Sequence, residues 1–533
     1  VKLACLLAAT LAAQDYRVRA VALREGPIQH VLARVDAGRD VWEGERDYEL
    51  LRTLFEDAAM RMKAGNRGVV PALAPTLARF ATLQVAEFKI IAVGSGVASL
   101  RVELAGISTA GERISYITKA TARFQKEKGA IRLGAFVPEP WRATQSARKW
   151  FVDVSERALA GNDSYRRQMV PPLDHWRRRM DGGGGLDVYG HNGVAVGDYD
   201  SDGWEDLFVA QPSGLPNRLY RNNGDGTFAD VTRLAGLDVL DASSMGLFAD
   251  VDNDSDQDLI LITASAPVLF RNTGGRFARV SAAGFRSTTA TLTGATLADY
   301  DRDGFIDLYV CTYGFWSPGA AYDAPTPYYD ATNGPPNFLY RNRGDGTFED
   351  RTVESGMNQN NNRFSFAAAW GDFNRDGWPD LLVANDFGRK NLYRNNGRGE
   401  KGAVTFTDVA LELGVDDLGA GMSVAWGDFD DDGFPDVYTG NMWSSAGLRL
   451  THHDQFARLA PDAGIRAAFQ RQARGNSLFR NRQGQQFEDA TIAAGVELGR
   501  WAWSSDFVDL DNDGWPDLYV QNGYVTADDP RDL

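Results

Sequence analysis

Near its C-terminal end the chain reads DLDNDGWPD (509–517), and an apolar run, LYV, follows directly. Aspartates stand at positions 1, 3, 5 and 9 of this stretch, with glycine at position 6. Carboxylates this close repel one another unless a positive charge sits among them. The stretch is one of six: the others are DYDSDGWED (198–206), DVDNDSDQD (250–258), DYDRDGFID (299–307), DFNRDGWPD (372–380) and DFDDDGFPD (428–436). All fit D-x-[DN]-x-D-G-x-x-D, except that Ser255 replaces one glycine. Internal self-similarity of this kind says more about architecture than any single motif.

The spacing suits a hard cation, because calcium takes six to eight oxygens and the glycine permits the sharp turn. The expected ligands are Asp198, Asp200, Asp202 and Asp206 in the first loop and Asp250, Asp252, Asp254 and Asp258 in the second. The third and fourth loops supply Asp299, Asp301, Asp303 and Asp307, then Asp372, Asn374, Asp376 and Asp380. The last two supply Asp428, Asp430, Asp432 and Asp436, then Asp509, Asp511, Asp513 and Asp517. The carbonyl at position 7 adds a further oxygen. Up to six structural Ca²⁺ follow, which would move the formal charge from −16 to about −4. An EF-hand is excluded. It needs an acidic residue at position 12, where this chain has Val209, Leu261, Val310, Val383, Thr439 and Val520. The residues after each loop, such as DLILI (258–262), read as strands, so each loop joins two strands.

A second motif follows the first five loops: LYRN (219–222), LFRN (269–272), LYRN (339–342), LYRN (392–395) and LFRN (478–481). A glycine-bearing turn and then FADVT (228–232) or a relative come next. One unit is therefore strand A, cation loop, strand B, linker, strand C, hairpin, strand D. Tandem four-stranded antiparallel units predict a β-propeller. Successive first aspartates lie 52, 49, 73, 56 and 81 residues apart, so the two long intervals hold insertions. Ahead of the first unit, FVDVS (151–155) matches the strand D motif, and Phe151–Val154 is expected to close the last blade.

Residues 15–148 lack the repeat. Leu50, Leu51, Leu54, Phe55, Ala58 and Met62 recur at helical spacing, and strand-like stretches follow at 88–93, 98–104, 114–124 and 131–137. This pattern is similar to the small α+β cone of the nuclear transport factor 2-like fold. Residues 1–14, VKLACLLAATLAAQ, resemble a short secretory signal. Cys5 lies within it, so Cys311 has no obvious disulfide partner. The length of 533 residues asks for at least two domains, and no apolar run is long enough to span a membrane. A net charge of −16 argues against nucleic acid.

The repeats resemble FG-GAP/VCBS repeats, which build the integrin-α-type β-propeller with calcium on one face. The stretches YGHNGVAVGDYDSDG (189–203), NGPPNFLYRN (333–342), NDFGRKNLYRNN (385–396) and GRWAWSSD (499–506) are similar to bacterial members of the cartilage acidic protein family. The resemblance covers about residues 150–533. It implies a mainly β protein, a propeller of six to seven blades, preceded here by the α+β domain. It also implies a further repeat and a C-terminal ASPIC/UnbV domain, so the chain reads as a truncated member.

Strand direction puts both insertions, 311–337 and 441–476, on the face opposite the cation loops. Long ordered loops on a rigid scaffold often carry function. Tyr313, Trp316, Tyr328, Tyr329 and Trp443 are the expected partner-binding residues there, suited to glycan or protein contact. The leading reading is a secreted, periplasmic or cell-surface calcium-binding adhesion module. One alternative is a polysaccharide lyase or hydrolase with its site on that opposite face. The other is a small-ligand site in the N-terminal cone. Arg343-Gly344-Asp345 spells RGD but occupies a repeat hairpin, and the adjacent His452 and His453 have no ligand set around them. No HExxH, GxSxG, phosphate loop or CxxC is found, so no catalytic residue is expected.

Overall fold

A computed structural model describes residues 43–127, 130–148, 151–171, 175–176, 193–315, 324–400 and 402–522. The segment 1–14 and Trp316 lie outside the described residues. The chain divides into two compact units.

The first unit holds the residues up to Asp153 together with Ser444–Ala473. Helix α1 (Glu43–Lys63) lays Leu51, Phe55, Ala58 and Met62 on an antiparallel sheet, each almost fully buried. Leu50, expected on the same stripe, faces outward at 38% exposure. The sheet runs β1 (Phe80–Gly94), β2 (Val97–Ser108), β3 (Arg113–Glu127) and β4 (Ala130–Pro138) in sequence order, and β5 (Arg142–Ser146) also pairs with β3. The strict alternation of burial along β2 is that of a sheet with one face on the core. The second insertion supplies α2 (Ser445–Thr451), α3 (Asp454–Leu459) and α4 (Ala463–Ala473) to this unit. Arg449 of α2 fixes it there. Its guanidinium makes two hydrogen bonds to Glu45, at 2.7 and 2.9 Å, and lies 3.5 Å over the Tyr48 ring.

The second unit, Val154–Trp443 and residues from Arg474 on, is propeller-like. Five four-stranded antiparallel sheets span 194–230, 243–279, 290–350, 364–408 and 421–489, each with its strands in the order A-B-C-D. A sixth sheet, Ala502–Val508 with Asp517–Asn522, has two strands among the described residues. Strand A of each sheet packs on strand A of the next.

The LYRN motif shows why the sheets stack. Alternate strand residues point to opposite faces. Leu219, Leu339 and Leu392 face the following sheet, while Phe270, Tyr340 and Tyr393 face the preceding one. Strand B of the second sheet, Asp258–Thr263, is buried throughout, as expected of a strand covered on both faces. Adjacent sheets approach closely at the end of strand A: a side chain at Gly371 would lie 2.7 Å from the Trp426 ring.

The expected closing strand is not formed. Phe151, Val152 and Val154 lie outside any strand and are 56%, 65% and 44% exposed. The chain turns instead into a short helix, Ser155–Leu159. Asn162 then caps the open edge of the first sheet: its amide donates to Phe228 O (2.8 Å), and its Oδ1 accepts from the Asp230 amide (2.7 Å).

Candidate metal centres

Each acidic loop folds around its own first aspartate. In the third loop Asp299 Oδ1 accepts from the Asp303 amide (3.0 Å), and Oδ2 accepts from the Gly304 amide (2.9 Å). The same pair of bonds recurs on Asp198, Asp250, Asp372, Asp428 and Asp509. Position 5 then accepts from the amide at position 7, as Asp303 does from Phe305 at 3.0 Å. Position 4 adopts left-handed backbone in all six loops, with φ between 55° and 60° at Ser201, Asn253, Arg302, Arg375, Asp431 and Asn512.

Position 9 joins the loop to the sheet. Asp307 is fully buried. Its Oδ2 accepts from the Tyr300 amide (3.1 Å), and its Oδ1 accepts from the backbone amide of Asn342, the last residue of LYRN (2.7 Å). Asp206, Asp258, Asp380 and Asp436 repeat this arrangement with Asn222, Asn272, Asn395 and Asn481. The asparagine does more. Asn342 donates its side-chain amide to Ile306 O (3.1 Å) and to Val251 O in the preceding loop (2.7 Å), while its Oδ1 accepts from Gly344 N. Asn272, Asn395 and Asn481 staple neighbouring loops in the same way. Burial pushes the position 9 carboxyls up: Asp206 and Asp258 to about 6, Asp436 to about 7, and Asp307 and Asp380 to about 8. A cation among them reverses that cost.

Three carboxylates per loop bring one oxygen each within 4.8 Å of the others: Asp198, Asp200 and Asp206; Asp250, Asp252 and Asp254; Asp299, Asp301 and Asp303; Asp428, Asp430 and Asp436; Asp509, Asp511 and Asp517. The fourth loop has the same backbone, with Asn374 in place of the second carboxylate. Position 3 tests whether a cation fits. Oδ1 of Asp200, Asp252, Asp301 and Asp430 is buried and, among the described residues, has no hydrogen-bond donor. Buried oxygens are almost always satisfied, so four equivalent orphans beside neighbouring carboxylates suit an oxygen-seeking cation.

The expected partner residues behave differently. Tyr313 packs against Phe364, Phe366 and Phe387, and its hydroxyl donates to Asp386 (2.7 Å). Tyr328 packs edge-on against Phe387 at 4.9 Å, and Tyr329 is half-buried. The Trp443 backbone forms a bridge with Arg474. Asp330 anchors the first insertion through Arg363 and Arg389. In the RGD hairpin, Asp345 accepts from Thr347 N at 2.9 Å and Arg343 pairs with Glu349 at 3.1 Å, both within the turn. His453 Nδ1 accepts from the Gln455 amide as a helix cap. Cys311 is a buried free thiol, and burial raises its pKa.

The sequence reading missed the asparagine staples, the left-handed position 4 and a reach of the LYRN arginine toward the loops. The motif itself carried the signal, since Arg and Asn recur at fixed places in all five copies.

The FG-GAP-like repeat family model matches residues 198–261, 250–310, 329–383, 372–439 and 467–520. The chain is similar to cartilage acidic protein 1 of Xenopus tropicalis, 30% identical over 143 residues, which is 26% of this chain and 22% of that protein. Human cartilage acidic protein 1 is 41% identical over 81 residues, 15% of this chain and 12% of the relative. The chain thus spans less than a quarter of the length of these curated relatives. Among solved structures, a chain of the Photorhabdus luminescens Tc holotoxin pore matches 67% of this chain and 13% of its own. That match has 14% identity and a TM-score of 0.23, too low to carry an argument.

Proposed function

The chain belongs to the FG-GAP-like repeat family, and from that premise we propose an exported, calcium-stabilised propeller that presents a partner-binding face. The observation that carries this is the set of four buried, donorless Oδ1 atoms at position 3, each within a crown of aspartates. Calcium there would tie strand A to strand B and offset the burial of the position 9 carboxylates. Extracellular modules bind calcium at about 10⁻⁴–10⁻³ M, which matches an exported protein. Among the described residues no helix is long and apolar enough to cross a membrane.

The partner, a protein or a glycan, binds at the end of the sheets away from the cation loops. Support comes from the first insertion, where Tyr313 and Tyr328 stand on a floor of Phe364, Phe366 and Phe387. Rigid aromatic surface costs little conformational entropy when it binds.

Thermal unfolding in excess EDTA and then in millimolar calcium tests the calcium reading. Calcium should raise the midpoint by ten degrees or more, as several sites bind only the folded state. An unchanged midpoint, with no calcium in the folded protein by elemental analysis, would reject it. Glycan and surface-protein screens on the calcium-loaded form, repeated with Tyr328→Ser, test the partner face.

A further inference from the structure

Strand C brings an arginine to each of four acidic loops, always to the carboxylate at position 3. Arg341 Nε donates to Asp301 Oδ2 at 2.6 Å, and its Nη2 reaches Asp303. Arg271 pairs with Asp252 and Arg480 with Asp430, while Arg221 lies 3.8 Å from Asp200. In the second and third loops the arginine takes Oδ2 of position 3, and in all four loops Oδ1 is left buried and donorless.

The fourth loop is the internal control. Asn374 stands at its position 3, and among the described residues Arg394 makes no ion pair. There the Asn374 side-chain amide donates to Asp376 Oδ2 (2.8 Å), on the position 5 carboxylate that Arg341 reaches in the third loop. The guanidinium is therefore engaged where a loop carries four carboxylates and disengaged where it carries three.

We infer that Arg221, Arg271, Arg341 and Arg480 are built-in counter-ions that hold the loops folded before calcium arrives and weaken its binding. This rests on the calcium reading above. A fixed positive charge on the far oxygen of a ligand carboxylate offsets repulsion among the aspartates when no metal is bound. It opposes a divalent ion once one enters. Both effects are Coulombic, and partial burial spares them from full screening.

The test is a calcium titration by isothermal calorimetry, with unfolding midpoints in EDTA and in saturating calcium. It uses the wild-type chain, the fourfold variant R221Q/R271Q/R341Q/R480Q, and R341Q alone should the fourfold variant fail to fold. The variants should bind calcium about tenfold more tightly at the altered sites. Their midpoint in EDTA should fall, and the gap between EDTA and calcium should widen. Arg394→Gln should leave the titration unchanged. Equal or weaker affinity in the variants, with calcium bound by the wild type, overturns the inference alone, because the arginines would then be positioning the ligands. Absence of calcium binding by the wild type overturns the calcium reading and this inference with it.

Discussion

The loops at 299–307 and 509–517 carry the same code and fold alike inside, yet they sit in different surroundings. Asp509 accepts from the amides of Asp513 and Gly514 at 3.1 and 2.9 Å, matching Asp299 with Asp303 and Gly304 at 3.0 and 2.9 Å. Asp517 accepts from Leu510 N as Asp307 does from Tyr300 N. The difference lies outside the nine residues. Asp307 is sealed by strand C and receives the Asn342 amide, whereas Asp517 is exposed and among the described residues no third strand pairs beside it. Trp515 is 55% exposed, while its counterpart Phe305 is half-buried beside Gly344 of the hairpin. The crown of carboxylates is thus a local product of the code. Its burial, and the cost of that burial, come from strand C, which lies outside the nine residues and is 35 residues on in the third loop.

The sharpest break in this comparison is Asn342→Ala. The backbone amide that serves Asp307 remains, but Val251 O, Ile306 O and Gly344 N lose their partner. Stability measured by denaturant unfolding should fall by about 3 kcal/mol, since each stranded buried group costs about 1–3 kcal/mol. Asn222 opens the series and among the described residues staples no preceding loop; its amide donates to Glu205 O, at the surface. Asn222→Ala should cost about 1 kcal/mol. Equal losses at the two positions would show that the inter-loop staple contributes nothing.

How far the sequence could be read follows the same division between local and distant causes. The loops, the four-strand order and the hairpins were legible because each depends on residues close together. The split of LYRN into a leucine for one neighbouring sheet and an aromatic for the other was present as a period of two. The role of Asn342 was not, because Val251 lies 91 residues away and only stacking of the sheets brings them together. The attachment of 444–473 to the first unit was equally hidden, since the Arg449–Glu45 pair joins residues 404 apart. The stretch FVDVS forms no strand among the described residues, because three strand-like residues do not by themselves specify a partner.

The pH dependence of stability separates the buried loops from the exposed one. Burial, ahead of the hydrogen bonds that oppose it, lifts Asp307 and Asp380 from an ordinary 3.8 to about 8 and Asp436 to about 7. Without calcium the folded chain therefore holds protons that the unfolded chain has already released. Their stabilising effect is present at low pH and is lost as pH rises through 7 to 8. In EDTA, moving from pH 8 to pH 6 should raise unfolding free energy by several kcal/mol, about 2 kcal/mol for each of Asp307 and Asp380 and about 1 kcal/mol for Asp436. Saturating calcium should flatten that slope, because the metal favours the charged carboxylates. A flat profile in EDTA would mean that the position 9 carboxylates ionise freely even when folded, and a slope of opposite sign that folding favours their charged form.

The smallest effect lies in the one loop that departs from the code at its turn. Position 6 has φ of 85° to 92° at Gly203, Gly304, Gly377, Gly433 and Gly514, and Ser255 holds 77° in the second loop. That is left-handed backbone, which costs a residue with a β-carbon about 1–2 kcal/mol. Glycine adopts it freely but loses more chain entropy on folding, which returns part of the gain. Ser255→Gly should therefore stabilise by about 0.5–1 kcal/mol. The gain should appear in EDTA and in calcium alike, because the Ser255 amide already donates to Asp250 Oδ2 (2.8 Å) and its side chain takes no part in the crown. A gain confined to calcium would instead show that the serine distorts the ligand set, and that the turn and the crown are a single device.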